Sequence, residues 1–258
     1  RLVAGYLFED AVRNGSTGFR NNADVGTIMK HVALKGSCLA AVDRAPKLEV
    51  EVVAFAASSS DPATAKGAAL LRESITLAAK YLAAVPAFCD DPKSSIDATL
   101  DLAVELDVPV DLHLDEHLVA GDSHAGYLAT AAIDRGLQGR VTLGHGCAIA
   151  VLDERDRAQV IGKLADADIT VIALPRTNLY LQDAGRRTPK QRGIAPVREM
   201  IAAGVAVRFA SDNVRDAFYP YGDADLLGVA MDGILASHLD EPDAVIEAIC
   251  DGSCTISE

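Results

Sequence analysis

Aromatic residues are scarce in this chain, 5% of 258 residues, and long uncharged apolar runs and clusters of lysine and arginine are absent. Each shortage argues against something. With few aromatic rings, the interior must be filled by alanine, valine and leucine, the composition of helices packed on buried strands. Charges break every apolar stretch well before the length of a membrane span, and no secretory signal pattern is visible. Acidic residues outnumber basic ones by 37 to 24, for a net charge of −13. Without a basic cluster to neutralise phosphates, the chain is a poor partner for nucleic acid or for an anionic membrane surface. The five cysteines, Cys38, Cys89, Cys147, Cys250 and Cys254, lack zinc-ribbon spacing. Reduced, buried thiols in a cytoplasmic protein fit that odd number best.

What the chain has instead is a sustained alternation of helix and strand, with no linker and no break in composition. Half of its residues are hydrophobic, enough for one large α/β domain or two small ones. After an opening helix through about residue 14, strands are expected at 18–23, 48–57, 81–88, 108–114, 141–145, 169–175 and 205–211. Helices are expected at 25–44, 63–79, 94–107, 122–136, 153–167, 194–203, 223–238 and 241–250. This order implies parallel strands joined by right-handed crossovers. Their near-continuous Val/Ile/Leu/Ala composition suits strands covered on both faces. Seven strands and an unpaired first helix point to a (β/α)8 TIM-type barrel with its first strand missing, a single domain over 1–258. A doubly wound sheet would call for G-x-G-x-x-G after a strand, and Gly144-His145-Gly146 has no third glycine. The chain starts at Arg1, without methionine and already inside a helical pattern, so it reads as part of a longer protein, truncated at both ends.

Polar residues close three of the apolar runs. The run 108–114 carries His113 and, three residues on, Glu116; 141–145 ends in His145; 205–211 is followed by Asp212 and Asn213. Loops at the carboxyl ends of parallel strands hold the active site in either α/β architecture. Neutral imidazole and carboxylate suit zinc or divalent iron, and such an ion can turn water into a nucleophile near neutral pH. A carboxyl beside it, with a pKa raised by burial, can move a proton. Each residue also has a plainer reading. Asp212-Asn213 alone is a turn, and a strand-end histidine alone is a satisfied polar group. His31, His124 and His238, in or near helices, read as surface or packing residues; His117 shares the loop of Glu116. Arg186-Arg187 and Lys190-Gln191-Arg192 read as a solvated loop. The coincidence of four such groups on three strand ends favours one shared site.

Here the sequence resembles the cytosine deaminase-like branch of the amidohydrolase superfamily, from the first helix almost to the end. The motif Asp-x-His-x-Asp-Glu stands as Asp111-Leu112-His113-Leu114-Asp115-Glu116, and the next strand's histidine as His145. The loop segments Asn178-Leu179-Tyr180-Leu181-Gln182 and 189–194, Ser211-Asp212-Asn213 and the aromatic turn 218–222 are similar too. The resemblance implies that His113 and Asp212 bind one divalent metal, zinc or iron. It implies that Asp212 takes a proton from the attacking water, that His145 orients that water and that Glu116 protonates a ring nitrogen. Asn213 and Phe218 would border the substrate, a small heterocycle losing an amine, and the barrel could assemble as a homo-oligomer. Three positions depart from the family. Its His-x-His pair on strand one is absent before residue 18, Ala57 stands where a substrate-reading glutamine is found, and 20–23 reads Arg-Asn-Asn-Ala where a histidine is usual. The change at Ala57 points away from cytosine itself. The missing His-x-His pair and Ala57 also motivate an alternative, a degenerate barrel that binds a small molecule or partner without turnover.

Overall fold

The computed structural model describes residues 1–45, 47–185 and 188–250. In chain order these form α1 (Leu2–Arg13), β1 (Gly18–Val25), α2 (Val32–Arg44), β2 (Glu49–Ala56), α3 (Ala65–Thr76), β3 (Tyr81–Ala84) and α4 (Pro92–Leu106). There follow β4 (Val110–Leu114), α5 (Ala125–Asp134), β5 (Val141–His145), α6 (Glu154–Asp166), β6 (Thr170–Ala173), α7 (Pro175–Leu181), α8 (Val197–Ala202), β7 (Val207–Phe209), α9 (Leu226–Ser237) and α10 (Pro242–Ile249). All seven strands pair in parallel, in sequence order, within one sheet.

The sheet curls into a partial (β/α) barrel of TIM type. One side chain shows how far: Arg20 on β1 reaches Thr142 on β5, with Nη1 and Oγ1 3.5 Å apart. Four strand spacings in a flat sheet would put these residues about 19 Å apart. Alternation then divides each strand between barrel interior and helical layer. On β4, Val110, Leu112 and Leu114 are buried against the helices, while Asp111 and His113 face Arg20 and the β5 histidine inside.

The helices start where capping chemistry allows. Thr64, Asp91, Asp153 and Asp225 each accept a backbone N–H of the first turn, at the starts of α3, α4, α6 and α9. Helix α9 lies so close on β7 that a Cβ at Gly233 would sit 2.5 Å from the Phe209 ring. Three elements differ from the sequence expectation. The helix expected over 25–44 begins only at Val32, because β1 runs on to Val25 and Gly26 bridges to Lys30 before the chain turns into α2. The strand expected over 81–88 stops at Ala84, because Pro86 opens a single 3-10 turn. The expected strand 169–175 stops at Ala173, and Pro175 there begins α7, which was not expected. Within the described residues, no helix is long and apolar enough to cross a membrane.

Candidate metal centre

The site is built where β4, β5 and β7 end. Asp115, His145 and Asp212, which follow or close these strands, all have positive φ, at 58°, 75° and 59°. Such backbone is uncommon outside glycine, although Asp, Asn and His tolerate it best. Each costs on the order of 1 kcal/mol and persists because neighbouring contacts hold it. At Asp115 those contacts are explicit. Its buried carboxylate accepts Ser123 Oγ at 2.5 Å, His124 N at 2.8 Å and Ala125 N at 3.2 Å, fixing the start of α5. Its carbonyl accepts Ala148 N at 3.0 Å, tying this turn to the segment after His145. The next residue is Glu116, whose own carbonyl accepts the side-chain amide of Gln182.

Ligand atoms of His113, His145 and Asp212 all lie within 4.8 Å of one another, the one such group among the described residues. His145 Nε2 is 3.2 Å from His113 Nδ1 and 3.9 Å from Glu116 Oε2. Phe55 sets its ring edge-on to His113, with centroids 4.9 Å apart. Burial lowers the pKa of both histidines, that of His145 well below its ordinary value, with His113 adding to the shift. Both rings are therefore neutral near pH 7, with lone pairs available. Burial, then repulsion from Asp216 and Asp111, pushes the Asp212 carboxyl up to about 7. Burial and then Asp212 raise Glu116, against a smaller opposing effect of His113. Two neutral imidazoles and a carboxylate are a donor set that fits zinc or ferrous iron.

The four groups singled out from sequence thus meet. Asn213 turns its amide to Asp216 Oδ2 at 2.6 Å, and Phe218 is exposed, held through its backbone by Asp216. Neither touches the four by a hydrogen bond or ring contact. His31 and His124 bond to nearby carbonyls, at 3.0 and 2.7 Å, and His238 closes α9 in a left-handed turn. His117 accepts Val119 N at 3.3 Å in its own loop. Cys38, Cys89 and Cys147 are free thiols. Arg186, Arg187, Cys254 and the end of the chain lie outside the described residues.

Three polar partners of this site carried no assigned role in the sequence reading. Asn22 on β1 places Nδ2 3.1 Å from His113 Nε2, and fully buried Asn178 on α7 places Nδ2 3.0 Å from His145 Nδ1. Deeper in the barrel, Arg20 pairs with Glu51 at 3.2 Å and Asp111 at 3.6 Å, donates to Tyr81 at 2.9 Å and stacks on its ring. The sequence signals for Asn178 were its place just past a strand end and the likeness of segment 178–182 to the family named above.

The profile of the amidohydrolase family matches residues 11–247. A pterin deaminase of Rhizobium rhizogenes is 45% identical over 116 residues, which are 45% of this chain and 26% of that protein. An N-isopropylammelide isopropyl amidohydrolase of Pseudomonas sp. is 26% identical over 227 residues, covering 85% of this chain and 52% of the relative. Among solved structures, 5-methylcytosine deaminase from Klebsiella pneumoniae liganded with phosphonocytosine superposes with a TM-score of 0.86 at 25% identity. That match covers 97% of this chain and 61% of the other. The chain therefore matches about half, or less, of the length of these curated relatives.

Proposed function

The chain belongs to the amidohydrolase family, and from that premise we propose that residues 1–258 are one barrel domain of a metal-dependent hydrolase that removes the amine from a small nitrogen heterocycle. The observation that carries this reading is the convergence of His113, His145 and Asp212, with Glu116 beside them, at the carboxyl ends of β4, β5 and β7. His113 and Asp212 would hold a divalent ion, zinc or iron, whose chemistry is to make water nucleophilic near neutral pH.

The protein's own groups supply the proton traffic. Water adds to the ring carbon that bears the amine, and Asp212 takes the proton it loses. His145, facing the same space with Nε2, orients the water. Glu116, with a pKa raised by burial, delivers a proton to the adjacent ring nitrogen. The proton from Asp212 then goes to the amine, the added hydroxyl returns a proton to Glu116, the C–N bond breaks, and ammonia leaves a carbonyl behind. Asn213 and Phe218 would border the heterocycle once it is bound.

A cytosine-like ring other than cytosine fits Ala57, and the likeness to a pterin deaminase makes an aminopterin-type ring the first to try. A cytoplasmic setting, supported by the free thiols, and assembly into a homo-oligomer complete the proposal. The test is ammonia release from a panel of aminated pyrimidines, triazines and pterins by the full-length protein. Glu116→Gln and Asp212→Asn should each abolish it; release surviving both substitutions would remove the assigned roles.

A further inference from the structure

The turn that follows Asp212 braces itself. Asn213 donates to Asp216 Oδ2 at 2.6 Å, while Asp216 Oδ1 accepts Phe218 N at 3.0 Å and Tyr219 N at 2.9 Å. Gly222 closes the turn. Its N donates to the Tyr219 carbonyl at 3.2 Å, and it packs so tightly on the Asn213 carbonyl that a Cβ would overlap it. All of these contacts lie within 213–222. They fix the shape of the turn and leave its position to ties with other elements.

Helix α7 supplies two of those ties from one face. Arg176 donates through Nη1 to Asp223 Oδ1 at 2.5 Å and through Nε to Asp232 Oδ2, on α9, at 2.6 Å. Gly228 on α9 keeps that approach open, because a Cβ there would sit 2.5 Å from Arg176 Nη2. Four residues on, and so on the same side of the helix, Tyr180 lies against Tyr219 and Tyr221, with ring centroids 4.6 and 6.2 Å apart. The other face of α7 belongs to the candidate centre. Asn178 lies 3.0 Å from His145 Nδ1, and Gln182 donates to the Glu116 carbonyl. A further tie, from Arg215 to Asp10 on α1, has an exposed guanidinium and is of the weak kind. Arg176 is 15% exposed and bonds two carboxylates, the strong kind.

We propose that Arg176 is a positioning residue for the substrate: from α7 it pins the turn 213–223, and so sets where Asn213 and Phe218 stand beside a bound ring. Its charged contacts are to carboxylates of this chain, so it acts through the turn. The effect on substrate binding rests on the function proposed above; the pinning of the turn does not. Asp223 and Asp232 are 43% and 36% exposed, so water replaces the guanidinium in Arg176→Met and the fold should survive.

The first test is 19F NMR of the full-length protein with 3-fluorotyrosine at position 219 alone. Stacked on Tyr180, the label should resonate away from free 3-fluorotyrosine. Arg176→Met and Asp223→Ala should each move it back toward the free value, and the double variant should add little to either. Arg176→Lys, which can keep one charged contact, should fall between. An unchanged shift in both single variants would overturn the inference.

The second test is ammonia release by the same variants without the label. Arg176→Met should raise KM at least about tenfold, as expected for loss of a charge-assisted hydrogen bond, with kcat within about threefold of wild type. Arg176→Lys should recover part of the KM. A role in stability alone would leave both constants of the folded protein unchanged. A lost 19F shift with unchanged KM would overturn the inference, as would a fall in kcat at constant KM. Should Arg176→Met fail to fold, Asp223→Ala carries both tests with the same outcomes. Expected 19F shifts in a wild type that releases no ammonia count against the proposed function alone.

Discussion

The arc from β1 to β3 and the arc from β4 to β7 line the same barrel interior with different chemistry. In the first arc, Asn22 reaches His113 but the other interior polar contacts sit below the rim: Arg20, Glu51 and Tyr81 interlock there, while β2 ends in Ala56-Ala57 and β3 in Ala84-Val85-Pro86. In the second arc, His113, Glu116, His145 and Asp212 gather at the carboxyl ends, His145 and Asp212 on left-handed backbone. Strand β4 belongs to both. Asp111 is in register with Thr142 and leans on Arg20, whereas His113, two residues further along, is level with Gly144 and meets His145. Depth along a strand, more than residue type, separates a buried polar group that organises the interior from one that can meet a substrate.

That contrast can be broken from either side. The largest effect is expected at the rim. Asp212→Asn should lower kcat by about 10²–10⁴-fold, the range for loss of a proton-transfer group, and zinc affinity should fall with it while the urea midpoint barely moves. Ammonia release and metal analysis on the same preparation check both. Arg20→Met should do the reverse. It leaves Asp111 buried beside a lost partner, a change of the kind that costs about 3 kcal/mol, read as a lower urea midpoint. The activity of the folded fraction should stay within a few-fold of wild type.

Asp115→Ala tests the boundary between the two behaviours. It removes the cap of α5, worth about 1–2 kcal/mol, and frees the turn that carries Glu116. Both the urea midpoint and kcat should drop, with KM little changed. The smallest effect is expected from Asn22→Ala, which deletes one exposed hydrogen bond of about 1 kcal/mol. Zinc titration should then give an affinity within about tenfold of wild type.

Much of this division was legible in the sequence, and the reasons are local. Alternation on β4 places Asp111 and His113 on one face, and polar residues at the ends of β4, β5 and β7 mark the rim. What the sequence did not reveal depends on curvature. Arg20 finds Asp111 and Thr142, and Asn22 finds His113, only because the sheet curls to bring β1 opposite β4 and β5. Helix α7 was hidden for another reason. Pro175 reads as the close of a strand, yet it sits at the first turn of the helix that carries Asn178 to His145.

The central claim is that the rim of the second arc is a single proton-handling site. Its most direct test is the rate of ammonia release from an aminopterin by zinc-loaded, full-length protein, compared with Glu116→Gln. The account predicts a loss of at least about 100-fold, at equal metal content and equal thermal stability. An unchanged rate in Glu116→Gln would contradict it.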